Sequence, residues 1–130
     1  MMRASLLALA LLAFGGSALA EEAALMRLAF GEDAIEVKAG QVEAAAVTDG
    51  MTGNILLHVL MADELNPAVA ELTTRHVGDT GQLLICGQQV AEMELMIPLA
   101  IGQFVVNVGD KAETERLAAI LTGGACPPAG

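Results

Sequence analysis

Aromatic side chains are nearly absent from this sequence. Its 130 residues include three phenylalanines and neither tryptophan nor tyrosine. Only Phe30 and Phe104 lie outside the first twenty residues. A hydrophobic core must therefore be filled by aliphatic side chains and by the flexible thioethers of the seven methionines, which adapt to irregular gaps.

Positive charge is also scarce. Six Lys and Arg residues stand against sixteen Asp and Glu residues, so the formal net charge is −10. Binding to nucleic acid needs basic groups that displace counterions from phosphates, and anionic lipid headgroups make a similar demand. The composition therefore argues against nucleic acid and anionic lipid as partners. It fits either a basic partner or a protein that stays soluble outside the cytoplasm.

The sequence lacks the residues of a serine hydrolase. Its only serines, Ser5 and Ser17, lie in the first twenty residues, so the rest of the chain cannot form a Ser-His-Asp triad. Cys86 with His58 or His76 is a conceivable thiol pair, but no basic residue lies near Cys86 in the sequence to favour a thiolate. No glycine-rich phosphate loop is present. We therefore predict a protein that is not an enzyme and needs no cofactor.

Long hydrophobic runs are missing except at the amino terminus. Met1 to Arg3 is positively charged, Leu6 to Phe14 is apolar, and Ala18-Leu19-Ala20 has small residues where a signal peptidase cuts. We interpret residues 1–20 as a secretory signal peptide and not as an anchor helix, because the apolar run is shorter than the ~20 residues that span a bilayer. Residues 21–130 are then expected to form one periplasmic or secreted domain without a stable membrane span.

Two cysteines, Cys86 and Cys126, lie in the part of the chain that is expected to be exported. An even number of cysteines in an oxidising compartment favours a disulfide, which would join the carboxyl-terminal tail to the end of a strand. The alternative is two free thiols. The sequence leaves both open.

The stretch from Asn66 to Val90 predicts a helix followed by a β-hairpin. Asn66, which precedes a proline, has a side chain that accepts hydrogen bonds from a first helical turn, and Gly78 suits the end of the helix. Gln82 to Cys86 is an apolar run of strand length, and Gly87 provides the turn before a second strand. We expect the helix to pack on this hairpin.

The other segments complete the pattern of an α+β fold. Alternating or β-branched runs indicate further strands at residues 25–30, 35–38, 55–61 and 103–108. A capping pattern begins a second helix at Asp110, whereas residues 41–46 are rich in alanine and tolerate a helix. Residues 93–101 are apolar, but Pro98 excludes a central strand there, so we expect an irregular connection. This order predicts a two-layer α+β sandwich, with a mostly antiparallel sheet and two helices on one face.

The segment from Ala45 to Gly124 resembles the head subdomain of the first periplasmic domain of SecD, the accessory subunit of the bacterial Sec protein-export machinery. The resemblance lies in the order and spacing of short motifs over about eighty residues. These motifs are Asp49 and Gly53, Ile55 to Met61, Leu72-Thr73, His76-Val77-Gly78, Leu83-Leu84-Ile85, Gly87-Gln88-Gln89-Val90, and Leu117 to Leu121 with Gly123-Gly124.

The chain also departs from the SecD pattern. SecD-like proteins place this head on a base subdomain and carry it on transmembrane helices that couple the proton gradient to movement of a polypeptide. This chain has no second apolar span, and Met93 stands where the family usually has a proline. The resemblance therefore implies the fold and a non-enzymatic interaction module for Sec-dependent export or polypeptide binding. Its implied partners are Sec translocon components or exported polypeptides, without a proton-driven motor.

The apolar connection provides a candidate polypeptide-binding surface. Its members are Met93, Met96, Ile97, Ile101 and Phe104. A large exposed apolar stretch would otherwise be a liability, so exposure of this segment would indicate binding. The alternative is that the connection is buried against the sheet as core.

A soft-metal site is the alternative function. Met93 and Met96 form a Met-x-x-Met pair, and together with His58 and His76 they provide ligands that copper(I) prefers. The same methionines equally suit a core that has few aromatic side chains.

Overall fold

Alternation of buried and exposed side chains produces the strands of this protein, and helical periodicity produces its helices. The structure is a computed structural model that describes residues 24–127, so the predicted signal peptide lies outside the described residues. Within them the elements are β1 (Met26–Phe30), β2 (Asp33–Val37), β3 (Val42–Thr48), β4 (Ile55–Met61), α1 (Asn66–Arg75), β5 (Thr80–Ile85), β6 (Gln88–Glu94), β7 (Gln103–Val106) and α2 (Lys111–Gly123).

The strands form two antiparallel sheets in this part of the chain. The larger sheet has the order β2-β1-β5-β6, and the smaller has the order β3-β4-β7. The chain passes between the sheets after β2, after β4 and after β6. α1 packs mainly on β2 and not, as the sequence predicted, on the β5–β6 hairpin, and α2 packs on β3 and β4. The α+β fold class and the antiparallel pairing are confirmed, and the strands are divided between two sheets, each with its own helix.

One hydrophobic core joins both sheets and both helices. Leu28 of the larger sheet, Leu57 of the smaller sheet, Val69 of α1 and Leu121 of α2 are all fully buried in it. Burial of one such side chain contributes about 1.5–3 kcal/mol relative to leaving it in water. The two sheets are therefore stabilised as one unit, although no ladder of backbone hydrogen bonds connects them in the described residues.

The β5–β6 hairpin and α2 have the predicted chemistry. Cys86 and Gly87 form a two-residue turn between paired Ile85 and Gln88, and both turn residues have positive φ, as a type I′ turn requires. At the start of α2, the Asp110 carboxylate accepts a hydrogen bond of 2.9 Å from the backbone N–H of Glu113. The capping prediction is confirmed.

Residues 41–46 are rich in alanine and tolerate a helix, but they do not form one. This segment enters β3, where Val42 is buried and the side chains of Glu43 and Ala45 are exposed. β3 pairs with β4 along its whole length, from Val42–Met61 to Thr48–Ile55. Alanine's intrinsic preference for helices is worth only a fraction of a kcal/mol per residue, so this pairing overrides it.

Asn66 does not cap α1 as predicted. A 3-10 turn at Asp63–Leu65 runs directly into the helix, so Leu65 occupies the capping position and Asn66 is already helical. The Asn66 side chain instead accepts a hydrogen bond of 2.9 Å from the backbone N–H of Gly102. Asn66 therefore makes a tertiary contact with Gly102, which the local sequence pattern does not reveal.

Candidate functional site

The connection between β6 and β7, residues 95–102, passes from the larger sheet to the smaller one. Leu95 is buried, and Leu99 packs against the core. Met96 and Ile97 are each 69% exposed, and Ile101 is 48% exposed. The sequence left open whether this connection is exposed or buried as core. Both occur, since Leu95 and Leu99 belong to the core whereas Met96, Ile97 and Ile101 are exposed. We call Met96, Ile97 and Ile101 the connection surface.

The backbone of this connection is held at both ends. At one end, Leu95 accepts a hydrogen bond of 2.7 Å from the Gly78 N–H and donates one of 3.0 Å to the Asp79 carbonyl. At the other end, the Gly102 carbonyl accepts from the Met61 N–H at 2.7 Å. Because these groups are bonded, the exposed side chains are presented on an ordered backbone.

Thr73 of α1 fixes the middle of the connection. Its side chain is fully buried, and its hydroxyl donates to the Val69 carbonyl at 2.8 Å. The same oxygen accepts a hydrogen bond of 2.9 Å from the Leu99 N–H. A buried hydroxyl that both donates and accepts is fully satisfied, which makes this contact costly to break.

Thr73→Val is expected to destabilise the protein by about 1–2 kcal/mol, because the Leu99 N–H loses its acceptor while the shape of the side chain is kept. Urea unfolding measures the loss, and amide exchange at Leu99 should accelerate. Thr74→Val is the matched control, since Thr74 is the exposed neighbour on the same helix. Equal stability of the two variants would contradict this role of Thr73.

The predicted surface residues do not all lie together. Met93 belongs to β6 and is partly buried against the core, so the connection begins two residues later than expected. Phe104 is only 8% exposed and is part of the core. Neither residue contributes to the connection surface. Only Met96, Ile97 and Ile101 are placed in solvent as a binding surface requires.

Sequence reasoning missed three exposed apolar residues, Val77, Leu60 and Val105. Val77 directly precedes Gly78, which is hydrogen-bonded to Leu95 of the connection. Leu60 and Val105 lie on the outer face of the smaller sheet, opposite in direction to their buried strand neighbours. The alternation of Phe104 and Val105 between faces was a usable signal, since neighbouring strand residues point to opposite sides.

The four residues suggested as copper ligands, His58, His76, Met93 and Met96, lie in four different segments of the fold. His58 lies on β4, where its Nε2 accepts a hydrogen bond of 2.9 Å from the Gln103 amide. His76 follows α1, and each of its ring nitrogens lies 2.8 Å from a carboxylate oxygen, one from Asp33 and one from Asp79. Residues 24–127 contain no group of three or more His, Cys, Asp or Glu side chains that could hold a metal. Copper binding stays a prediction, which the metal content of the purified protein tests.

The His76 cluster connects the end of α1 to the larger sheet. The hydrogen bond that His76 donates to Asp33, followed by the one it donates to Asp79, raises the pKa of His76 above its ordinary 6.5. The hydrogen bond that Asp33 accepts from His76, followed by the charge of Arg75, lowers the pKa of Asp33 below its ordinary 3.8. The Phe30 ring stacks on the imidazole with the centroids 5.5 Å apart. Protonated His76 is therefore the form that this site stabilises.

Stability is expected to decrease as the pH rises above 6.5 through the raised pKa of His76, because the folded state then loses a proton that it holds more tightly than the unfolded state does. It is also expected to decrease as the pH falls below 3.8 through the lowered pKa of Asp33. Urea midpoints measured across this range should fall less on the alkaline side in His76→Gln. His58→Gln is the control, and an unchanged alkaline decline in His76→Gln would contradict the assignment.

Cys86 and Cys126 form a disulfide with an S–S distance of 2.04 Å. Of the two alternatives for the cysteines, the structure therefore has the bridge. It ties the segment that follows α2 to the β5–β6 turn. With its sulfur in this bond, Cys86 has no thiolate to act as a nucleophile.

Comparison with known proteins identifies the fold. No protein-family model matches the chain, and no curated protein matches it either. Solved structures do match, among them one titled "Structure and function of a membrane component SecDF that enhances protein export" and another titled "Crystal structure of SecDF in Super-membrane-facing form". Their TM-scores are 0.57 and 0.58, each at 21% identity over 65% of this chain. The fold is SecD-like.

The chain spans less than half of the length of the two SecDF chains. It spans 39% of the first SecDF chain and 12% of the second. Among residues 24–127, neither α1 nor α2 has the length and hydropathy needed to cross a bilayer. The likeness therefore establishes the fold of this chain, and what the chain does must be argued from its own surface.

Proposed function

We propose that this SecD-like domain is a non-enzymatic module that binds polypeptides outside the cytoplasm, in support of protein export. The observation that carries the proposal is the connection surface. Three large apolar side chains are exposed there on a backbone that is hydrogen-bonded at both ends and in the middle. An ordered apolar surface of this kind is typical of a binding site, because monomeric proteins seldom leave such groups in water without use.

The disulfide and the likeness to SecDF support a location and a class of partner for this domain. A disulfide persists in oxidising compartments, which supports a periplasmic or secreted domain. The likeness to SecDF, which its title describes as enhancing protein export, supports exported polypeptides or Sec translocon components as the partners. An unfolded exported chain exposes apolar side chains, which a surface of Met96, Ile97 and Ile101 can cover.

A pull-down from envelope extract tests the proposal. The purified protein is compared with Met96→Asp/Ile101→Asp, which places two charges on the connection surface. Met51→Asp/Gln89→Asp is the matched control, since it adds the same charge at exposed positions elsewhere. We expect the wild type and the control to recover exported polypeptides or translocon subunits, and the connection variant to lose them.

All three proteins must first show the same circular dichroism and urea midpoint. Folded variants that recover identical sets of proteins would contradict the proposed binding surface. If both double variants fail to recover these proteins, the added negative charge alone explains the loss. That result would also contradict the proposed binding surface.

A further inference from the structure

β7 is an edge strand of the smaller sheet, because among residues 24–127 the strand order β3-β4-β7 leaves one of its sides without a neighbouring strand. The Met61 N–H donates to the Gly102 carbonyl, and Val59 pairs with Phe104. In an antiparallel pair, alternate residues direct both backbone groups toward the partner strand. The backbone groups of Gln103 and Val105 therefore point away from β4, toward the open side.

The opposite edge of the same sheet is closed. The Thr122 hydroxyl of α2 accepts a hydrogen bond of 3.1 Å from the Ala44 N–H and donates one of 2.9 Å to the Ala44 carbonyl. Within the described residues, no side chain makes an equivalent contact to the backbone of Gln103 or Val105. The fold thus blocks strand addition at β3 and leaves β7 able to accept one.

β7 has one of the usual protections of an edge, its short length of four residues, and lacks the others. Proteins also guard exposed edges with lysine, proline, a bulge or an inward charge. β7 has the sequence QFVV and regular pairing with β4, without any of these features. It lies inside residues 95–109, fifteen consecutive residues without a charged side chain in a protein with a net charge of −10.

Apolar side chains line the open edge on its outer face. Gln103 and Val105 alternate with buried residues, so they point to the same side of the strand. Ile101, in the bend directly before β7, is exposed as well. Leu60 is the cross-strand partner of Gln103 on that face and is also exposed. Ile101 belongs to the connection surface, which therefore continues along β7.

The charges on this face of the smaller sheet and at the end of β4 are acidic. Glu43 lies on β3, at the far edge, where it is the partner of Leu60 and is exposed on the same face, and the exposed Asp63 and Glu64 follow the end of β4. Four of the five cations in residues 24–127 are in ion pairs with carboxylates. They are Arg27, Arg75, Lys111 and Arg116. A basic ligand is attracted to such a surface, and an acidic one is repelled.

We propose that an extended polypeptide segment that carries apolar and basic side chains on one face binds β7 as a fourth strand of the smaller sheet. This inference rests on the proposed function and adds its substrate class and its mode of binding. Backbone hydrogen bonds to Gln103 and Val105 provide affinity that does not depend on sequence. Apolar side chains on that face of the ligand cover Val105 and Ile101, and its basic side chains on the same face are attracted to the carboxylates.

Fluorescence anisotropy with short labelled peptides tests the inference on the purified protein. The parent peptide has valine and lysine in turn at every second position, so that both lie on one face of the strand, and threonine at the positions between them. A second peptide has glutamate in place of lysine. Two further peptides carry N-methyl groups on alternate residues, one set for each edge of an extended strand. Because methylation removes backbone donors on one edge only, a strand that pairs through one edge tolerates one of these peptides and not the other.

We expect the parent peptide to bind, and the glutamate peptide to bind at least about tenfold more weakly, with the difference shrinking at high salt. One methylated peptide should lose about tenfold or more in affinity, since two or three backbone hydrogen bonds are removed, while the other should bind as the parent does. Val105→Pro should lower the affinity for the parent peptide similarly. The N-methylated pair gives a result even if Val105→Pro does not fold.

Equal binding of both methylated peptides would overturn strand addition. If that equal binding is lost in Met96→Asp/Ile101→Asp, the proposed function stands and only this inference falls. If no peptide binds, both fall. A glutamate peptide that binds as tightly as the parent would overturn the basic character assigned to the ligand.

Discussion

Replacement of both cysteines, as Cys86→Ser with Cys126→Ser, is expected to lower the free energy of unfolding by about 4 kcal/mol. The bridge joins residues separated by 40 positions, and opening a loop of that length returns considerable conformational freedom to the unfolded chain. A loss of this size is a large part of a typical stability of about 5–15 kcal/mol. Urea unfolding of the oxidised protein and the variant measures it.

A second replacement of Cys86 separates two effects on stability, the loss of the disulfide and the positive φ that the turn requires at this position. Cys86 has φ 55° and is the only non-glycine residue with positive φ among residues 24–127. Asn-Gly is the preferred pair for a type I′ turn. Cys86→Asn with Cys126→Ser should therefore be more stable than the double serine variant, by about 0.5–1 kcal/mol. Equal urea midpoints for the oxidised wild type and both variants would contradict a stabilising bridge.

Gly81→Ala is expected to destabilise the protein by about 2–3 kcal/mol. Gly81 lies in β5 against the Phe30 ring, and an added Cβ would lie 2.4 Å from the nearest ring carbon. Phe30 is fully buried and stacks on His76, so it cannot move without disturbing the core. Thermal and urea unfolding measure the loss.

Two controls test whether the ring is responsible for this effect. Gly50→Ala is the same substitution at a position where no atom lies within 4 Å and φ is not positive, so it should change stability by less than about 1 kcal/mol. Phe30→Leu should be less harmful in the Gly81→Ala background than alone, because the smaller side chain makes room for the methyl group. Additive effects of the two substitutions would contradict a direct clash.

The sequence predicted the elements whose determinants are local. The β5–β6 hairpin follows from Gly87 after an apolar run, and the start of α2 follows from the Asp110 side chain. Neither depends on a distant partner, so a short window contains the necessary information. The cysteine count and the expected compartment left a disulfide and two free thiols as alternatives, and the fold decides between them by bringing Cys86 and Cys126 together.

Features that depend on distant contacts could not be predicted from local patterns. Residues 41–46 are a strand because β4 pairs with them, and Asn66 is used by Gly102, which is 36 residues away. Met96 and Ile97 are exposed because they lie in the connection, whereas Phe104 is buried because it faces the core from β7. One apolar segment thus contains both core and surface, which composition alone cannot separate.

The connection surface and the open edge of β7 have a common structural origin. The chain must pass from the larger sheet to the smaller one between β6 and β7, and β7 then enters at the edge of its sheet. This passage leaves apolar side chains outside the core and a row of backbone groups without a neighbouring strand. The fold thereby brings together the two features that extended polypeptides need for binding.

Amide hydrogen exchange is the most direct test of the proposal that this surface binds polypeptides. The purified protein is measured alone and with a saturating concentration of an unfolded, basic polypeptide. The account predicts slower exchange at Met96, Ile97 and Ile101, and at Gln103 and Val105 of β7, with no change in the exposed turn at residues 49–54. Unchanged exchange between residues 96 and 105 at a concentration that saturates binding would contradict it.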